Sequence, residues 1–456
     1  NYGFHGDELY FLMCGLHPDW GYVDHPPFTP LVARLGCALF GISYAGFRFF
    51  PALSLGVSCF LTGWLAKRLG AGWFGQALAL LAFIAAPVFV RAGAFLNIPV
   101  FEALFWLLMA HALVTVCRRD DARWWVLAGA FCGLAMLNKH TALFFGIGMG
   151  AGLALTRRRK DLLTPWPWLG GALAVAIFSP NLIWQYRHGW ATLEFLRNLN
   201  AEVMQRISAA DFLIGQAAFL NLASVAVWGA GLVWLLRAKE GRPYAMLAWI
   251  YLCMLVLFLA LEARQYYLAP AYPMLFAAGG VALEQWTASG RWRWLRYALP
   301  AAMIAVAAAF FPIGAPVGGL AWQRAYADRY FAFAGGAKTM LFDLSFELGR
   351  EEELAAVGEC YHALSPAERD HCAVYSGYYD MAAELDLFGS EYALPIAISG
   401  NNSFYLWGPG DWDGQRMLAL RCPRSVLEAC FEKVTQAGLA PPRMPGDAAE
   451  GVPLFY

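Results

Sequence analysis

The segment His5-Gly6-Asp7-Glu8-Leu9-Tyr10 puts two adjacent carboxylates near the start of the chain, ahead of Trp20-Gly21-Tyr22-Val23-Asp24-His25-Pro26-Pro27. Paired carboxylates can act as general base and supporting acid, or ligate a divalent ion. The same pair also suits the first turn of a helix. Asp24-His25-Pro26-Pro27 reads as a turn. Asp7, Glu8, Asp24 and His25 form the one group where a divalent ion could sit, but no complete ligand set is visible, so no metal and no cofactor is expected.

A second set is basic. Arg48, Arg91, Lys139, Arg187, Arg206 and Arg264 stand isolated between apolar runs. A guanidinium suits phosphate by bidentate hydrogen bonding, and an ammonium suits it as a point charge. Each could equally snorkel to lipid headgroups. A third stretch, Glu262-Ala263-Arg264-Gln265-Tyr266-Tyr267-Leu268-Ala269-Pro270, joins one of these arginines to two tyrosines at a helix entry. A fourth, Asn181 to Trp190, brings His188 and Arg187 together with Trp184 and Trp190. Both stretches fit a ligand surface or an aromatic interface belt. His111 lies inside an apolar run and reads as a hydrogen-bonded core histidine.

The elements that must position these groups are apolar helices. Charged residues make up 14% of the 456 residues and hydrophobic residues 59%, with mean hydropathy +0.47. A soluble domain carries roughly 25% charge. The net charge of zero gives no reason to expect nucleic acid. Apolar runs at 47–66, 73–95, 97–117, 124–138, 140–156, 166–186, 211–236, 243–262, 267–286 and 295–314 predict about ten spans. The run at 124–138 is short for a full crossing.

Five basic clusters separate these runs at every second connection: Lys67–Arg68, Arg118–Arg123, Arg157–Lys160, Arg237–Arg242 and Arg291–Arg296. Short loops rich in Lys and Arg stay in the cytoplasm. All five clusters are then inside, and the isolated bases are outside, where basic residues are normally avoided. Three parts follow: an outer loop over 1–46, a multi-span domain over 47–315 and a domain over 316–456 outside the membrane. This topology expects a further span ahead of Asn1. Gly-rich stretches such as Gly146–Gly152 read as close helix packing.

The polar C-terminal part reads as a small α/β domain. Phe342–Val357 and Ser425–Ala437 read as amphipathic helices, and Cys372–Tyr375, Phe404–Leu406 and Met417–Leu420 as strands. In an oxidising compartment its spacing favours the disulfides Cys360–Cys372 and Cys422–Cys430. Asn401-Asn402-Ser403 fits a glycosylation sequon, which reads as chance.

Taken in order, these motifs resemble the GT-C superfamily of membrane glycosyltransferases. The likeness is to bacterial relatives of protein O-mannosyltransferases and of the lipid A aminoarabinose transferases. The residues that carry it are Asp7-Glu8, Asp24-His25-Pro26-Pro27, Arg48-Phe49-Phe50-Pro51, Gly133 to Lys139, Arg264 to Pro270, and Tyr392 to Ser403. Many relatives have an Asp at the start of the span after the Arg91 connection. This chain has Asn97 and Glu102 there, and Glu102 is aligned with it.

The resemblance implies an α-helical polytopic membrane protein of GT-C type with a small C-terminal α/β extracytoplasmic domain, in the bacterial cytoplasmic (inner) membrane. It implies inverting transfer of a sugar from a polyprenyl-phosphate donor to an envelope lipid, glycan or protein. Asp7 is then the expected base, with Glu8 orienting it or binding acceptor. Lys139 and Arg264 are expected on the donor phosphate, with Arg48, Arg91, Arg187 and Arg206 behind them. Asp24, His25, Glu102, His188, Tyr266 and Tyr267 are expected to bind substrate. The competing class is a transporter or flippase for lipid-linked sugars, which would show inverted repeats and ionisable groups at the midplane. Here the charges gather at helix ends and no repeat is seen.

Overall fold

The computed structural model describes residues 2–202, 207–315, 317–442 and 451–456. Its first part is helical: α1 (Gly6–Leu16), α2 (Phe28–Phe40), α3 (Tyr44–Leu69), α4 (Trp73–Ile84), α5 (Pro87–Ala94), α6 (Ile98–Arg119), α7 (Trp125–Asn138), α8 (Ala142–Leu155) and α9 (Trp166–Arg187). Then come α10 (Ala191–Glu202), α11 (Ala209–Phe219), α12 (Val225–Arg237), α13 (Ala245–Ala260), α14 (Tyr272–Trp286) and α15 (Leu295–Gly314).

Each of the ten expected spans is helical, but they are not ten full crossings. Among the described residues five helices are long and apolar enough to cross a membrane: α3, α6, α9, Arg242–Ala260 and Gly290–Gly314. Two bent pairs bring the count up to seven: α4 with α5, bent by 63°, and α11 with Leu222–Arg237, bent by 100°. Length explains the difference. At 1.5 Å per residue the 14-residue α7 and α8 rise about 21 Å, short of a hydrocarbon core of about 30 Å. The bends have local causes. Pro87 starts α5 at the position where its missing N–H costs nothing. Asn221 adopts φ 76 and its side chain caps the next turn.

Side-chain contacts fix how the helices run. Arg68, at the end of α3, donates to the His111 carbonyl (2.9 Å) near the end of α6, and the His111 ring bonds the Leu61 carbonyl (3.0 Å). Arg158 pairs with Asp120 and Asp161. Arg123 lies over the Trp166 ring at the start of α9. The arginine clusters therefore gather at one end of the bundle. The starts of α3, α6, α8 and α14 and the ends of α7, α9 and α13 lie at the opposite end. Small residues let the helices touch: a Cβ on Gly129 of α7 would sit 2.0 Å from the Gly170 carbonyl oxygen of α9. In the Gly146–Gly152 stretch, Gly148 and Gly152 pack against Ile250 and Met246 of α13. Many large apolar side chains face outward, Trp73, Trp168 and Val175 among them, as a lipid-facing surface requires.

The C-terminal unit contains α16 (Leu320–Tyr330), α17 (Gly336–Met340), α18 (Arg350–His362), α19 (Pro366–Arg369), α20 (Tyr379–Phe388), α21 (Ser403–Trp407) and α22 (Arg424–Glu428). These surround a five-stranded sheet in the order β2-β1-β3-β5-β4, formed by β1 (Cys372–Ser376), β2 (Ala397–Ile398), β3 (Arg416–Leu420), β4 (Gln436–Ala440) and β5 (Val452–Phe455). β1 is parallel to β2 and β3, while β5 is antiparallel to β3 and β4.

Two expected strands are β1 and β3; the third, Phe404–Leu406, is helical within α21. Asn402 at φ 49 turns the chain there, and Ser403 is held by Tyr10. The helix expected over Phe342–Val357 is broken at Gly349, whose φ of 67 starts α18. The helix expected over Ser425–Ala437 stops early, and the chain enters β4. The four C-terminal cysteines stand unbridged in this structure. Cys372 instead fills the core beside Val357, Tyr361 and Leu418, and the Cys360 sulfur lies against Gly438 of β4.

Candidate functional site

Helix α1 begins with a reciprocal cap. The Asp7 N–H donates to His5 Nδ1 (3.1 Å), and the His5 N–H donates to Glu8 Oε2 (2.9 Å). Successive residues on a helix point about 100° apart, so the two carboxylates part company. Glu8 is fully buried, whereas the Asp7 side chain is 36% exposed. Glu8 is consumed by four donors. Arg48 Nε (3.2 Å) and the Leu96 N–H (2.9 Å) reach Oε1; Arg48 Nη2 (3.1 Å) and the His5 N–H reach Oε2. It fixes α1 to α3 and to the entry of α6, and both of its oxygens are taken up by these bonds.

The part-exposed Asp7 side chain lies with the Asp24 turn against the C-terminal unit. Tyr379, at the start of α20, donates its hydroxyl to Asp7 Oδ1 (2.8 Å). Asp24 accepts from the Tyr10 hydroxyl (2.7 Å) and from Asn402 Nδ2 (3.1 Å). The Ser403 hydroxyl is hydrogen-bonded to the Tyr10 oxygen (2.9 Å) and accepts from the Val23 N–H (3.2 Å). Burial pushes the Asp24 carboxyl up, with His25 and the Tyr10 hydroxyl working the other way. Burial likewise pushes the Tyr379 phenol well above its usual value, so it stays protonated and donates. His25 is buried, its Nδ1 3.0 Å from the Pro26 carbonyl and its Nε2 3.8 Å from Asp24.

Two hydrogen bonds tie α2 to the end of α7 and the start of α6, beside the basic residues. Thr29 of α2 donates to Asn138 Oδ1 (3.0 Å), and Asn138 Nδ2 donates to the Ile98 carbonyl (3.1 Å). The next residue, Lys139, is 3.2 Å from Glu102 on α6 and lies over the Tyr267 ring (4.3 Å) and Tyr266 ring (5.5 Å). Thr141 also donates to Glu102. Glu102 follows Leu96, which is bound to Glu8, by six residues, or roughly 9 Å along the chain. Both clusters thus border the same end of α6.

The other expected residues divide. Arg264 sits half-buried at the entry to the Gln265–Ala271 turn, close to Tyr266, and its guanidinium has no ion-pair partner among the described residues. Arg91 pairs with Asp343 and Glu347, and Arg48 also reaches Glu347 (3.6 Å), so both are bound to carboxylates. Arg187 is exposed, and His188 stacks on Trp184 (4.2 Å) at the end of α9. Arg206 lies outside the described residues. Among the described residues no group of three His, Cys, Asp or Glu side chains is placed to hold a metal ion. Tyr10, Tyr379, Asn402 and Ser403 were not expected at the site. Asn402 and Ser403 end the Tyr392–Ser403 run that carries part of the family resemblance, and that run was the available signal.

The helical bundle with its sheet-bearing C-terminal unit defines a class: the chain has the fold of GT-C membrane glycosyltransferases. The crystal structure of ArnT from Cupriavidus metallidurans in the apo state superposes with a TM-score of 0.62 at 17% identity, over 100% of this chain and 93% of that one. The same protein bound to undecaprenyl phosphate gives 0.56 over 99% and 92%. The apo oligosaccharyltransferase of Archaeoglobus fulgidus gives 0.50 at 14% identity, over 87% and 61%. In sequence, residues 24–184 match the family model of dolichyl-phosphate-mannose-protein mannosyltransferase. An uncharacterized protein of Aquifex aeolicus (strain VF5) is 27% identical over 263 residues, 56% of this chain and 52% of that protein. The chain thus spans about half the length of the curated relative it matches. The likeness to these proteins is one of fold along nearly the whole chain, while the family model matches only residues 24–184.

Proposed function

We propose that the protein transfers a sugar from a polyprenyl-phosphate donor to an acceptor outside the cytoplasmic membrane, with inversion at the anomeric carbon. What supports this reading is a part-exposed carboxylate, Asp7, next to Glu8, which bonds the entry of α6, and a cation, Lys139, which pairs with Glu102 on the same helix and lies over Tyr266, itself close to Arg264. Asp7 takes the proton of the acceptor hydroxyl as its oxygen attacks the anomeric carbon. The bond from that carbon to the phosphate oxygen breaks, and the polyprenyl phosphate leaves with the electron pair. Lys139 and Arg264 receive its negative charge. The arginine-rich end faces the cytoplasm and the C-terminal unit lies outside the bacterial inner membrane.

ArnT, a neighbour in fold, has been captured with undecaprenyl phosphate, which supports this donor class. Two bent helix pairs favour a transporter as the second reading. Mass spectrometry of envelope lipids and glycans from a deletion strain separates the two. A lost glycosylated product, with its unmodified acceptor accumulating outside, supports transfer. Donor trapped inside supports transport.

A further inference from the structure

Three residues of the C-terminal unit reach carboxylates or their partners on the α1–α2 segment. Tyr379 bonds Asp7, Asn402 bonds Asp24 and Ser403 bonds Tyr10, across 372, 378 and 393 residues of sequence. They also act as one piece. Asn401 Oδ1 accepts the Tyr379 N–H (3.2 Å), so the loop that presents Asn402 and Ser403 also fixes the start of α20. Asn402 carries φ 49 and ψ −135, a conformation unfavourable for a residue with a side chain. Such strain persists where the surroundings hold it, and here its side chain is aimed at Asp24. Tyr379 bonds Oδ1 of Asp7, whose side chain stays part-exposed with Oδ2 3.9 Å from His5 Nδ1.

We infer that Tyr379 and Asn402 are positioning residues: docking of the C-terminal unit fixes the rotamers of Asp7 and Asp24, and Asp7 is set for proton abstraction only in the docked state. This rests on Asp7 being the base. The charged and titratable groups around Asp7 are His5 (3.9 Å) and Glu8 on its own segment, Asp24 across Tyr10, and Asp380 with Arg350 from the unit packed on α1. Of these contacts, Tyr379→Phe changes only the hydroxyl on Asp7.

The decisive test needs no substrate. Purified protein in lipid nanodiscs is treated with dicyclohexylcarbodiimide, which reacts with protonated carboxyls, and labelling of the Asp7 peptide is followed against pH by mass spectrometry. A hydrogen bond to a carboxylate favours the ionised form. Removing it in Tyr379→Phe should raise the pH of half-labelling by about half to one unit. An unchanged midpoint overturns the inference. Asn402→Gly relieves the backbone strain while removing the amide. It should keep wild-type heat stability and lower the envelope glycosylated product at least tenfold; undiminished product also overturns the inference. Asp7→Asn is run beside them. If Asp7→Asn still makes product, the base assignment fails and takes this inference with it. If Asp7→Asn is inactive while Tyr379→Phe labels like wild type, only the positioning role falls.

Discussion

Glu8→Gln should unfold the protein before it harms the chemistry, the opposite of its neighbour. The carboxylate accepts four N–H bonds, two on each oxygen. Glutamine keeps one acceptor oxygen and replaces the other with an NH₂ group, itself a donor. If the oxygen stays at Oε1, the His5 N–H and Arg48 Nη2 face a donor. If it stays at Oε2, the Leu96 N–H and Arg48 Nε do. In either rotamer two donors lose their partner, one of them on a charged group. A buried donor left unpaired costs about 1–3 kcal/mol. Breaking a buried ion pair from one side costs about 3–5 kcal/mol. The Arg48 side chain is 18% exposed, so water recovers part of this, and about 3 kcal/mol is the expected loss.

The comparison is Asp7→Asn, where one side-chain hydrogen bond from Tyr379 to a half-open carboxylate changes. Its stability cost should stay near 1 kcal/mol or below, while activity drops by roughly two to four orders of magnitude. The assay is size-exclusion chromatography of detergent-solubilised variants after a temperature series, beside envelope product in complemented deletion cells. Glu8→Gln should lose its monodisperse peak well below the wild-type temperature. A Glu8→Gln protein as heat-stable as wild type but inactive would refute the assignment and return Glu8 to the chemistry.

Arg264→Ala and Lys139→Ala should each weaken binding of undecaprenyl phosphate about tenfold or more, with Arg264→Ala the larger effect because Lys139 already has Glu102 as a partner; unchanged affinity in both removes them from the site. Asp386, on α20, has its carboxyl pushed up to about 6 by burial. Its neutral form is therefore favoured by folding, so this contribution is present at low pH and is lost as pH rises from about 4 toward 6. Asp386→Asn should then raise heat stability at pH 7.5 and make little difference at pH 4, and an equal effect at both would contradict the assignment. A membrane-impermeant maleimide applied to cells with an opened outer barrier should label the exposed Cys430 without reductant. Labelling only after reduction would restore the Cys422–Cys430 bridge, and none even after reduction would put the C-terminal unit inside.

What could be read from the chain and what could not divides by range. The apolar runs are local, and each is a helix. The basic clusters are local too, and their convergence at one end follows from alternating helix directions. Whether a run crosses a membrane depends on straightness, and that turned on single residues such as Asn221. The fate of each charge was less legible still, because it depends on partners far along the chain. Asp7 and Glu8 are indistinguishable as a pair of letters. They part because Arg48, 40 residues away, and Leu96, 88 residues away, close over one of them. Arg48 and Arg91 looked like free phosphate ligands until Asp343 and Glu347 met them.

The same physics argues for which residues remain available. A buried charge must be paired, so the bundle has assigned partners to Glu8, Arg48 and Arg91 in building itself. Groups with a role in binding or transfer must keep part of their valence open. Asp7, with its side chain part-exposed, and Arg264, half-buried and with no ion-pair partner among the described residues, meet this condition. On this argument the incompleteness of their contacts marks the two residues, more than their position among the motifs. Filling either vacancy from within the chain, as a carboxylate at Gln265 or Tyr266 could do for Arg264, should silence the protein while leaving it folded. A Gln265→Glu or Tyr266→Glu variant that stays folded and fully active would show that Arg264 does not meet the substrate.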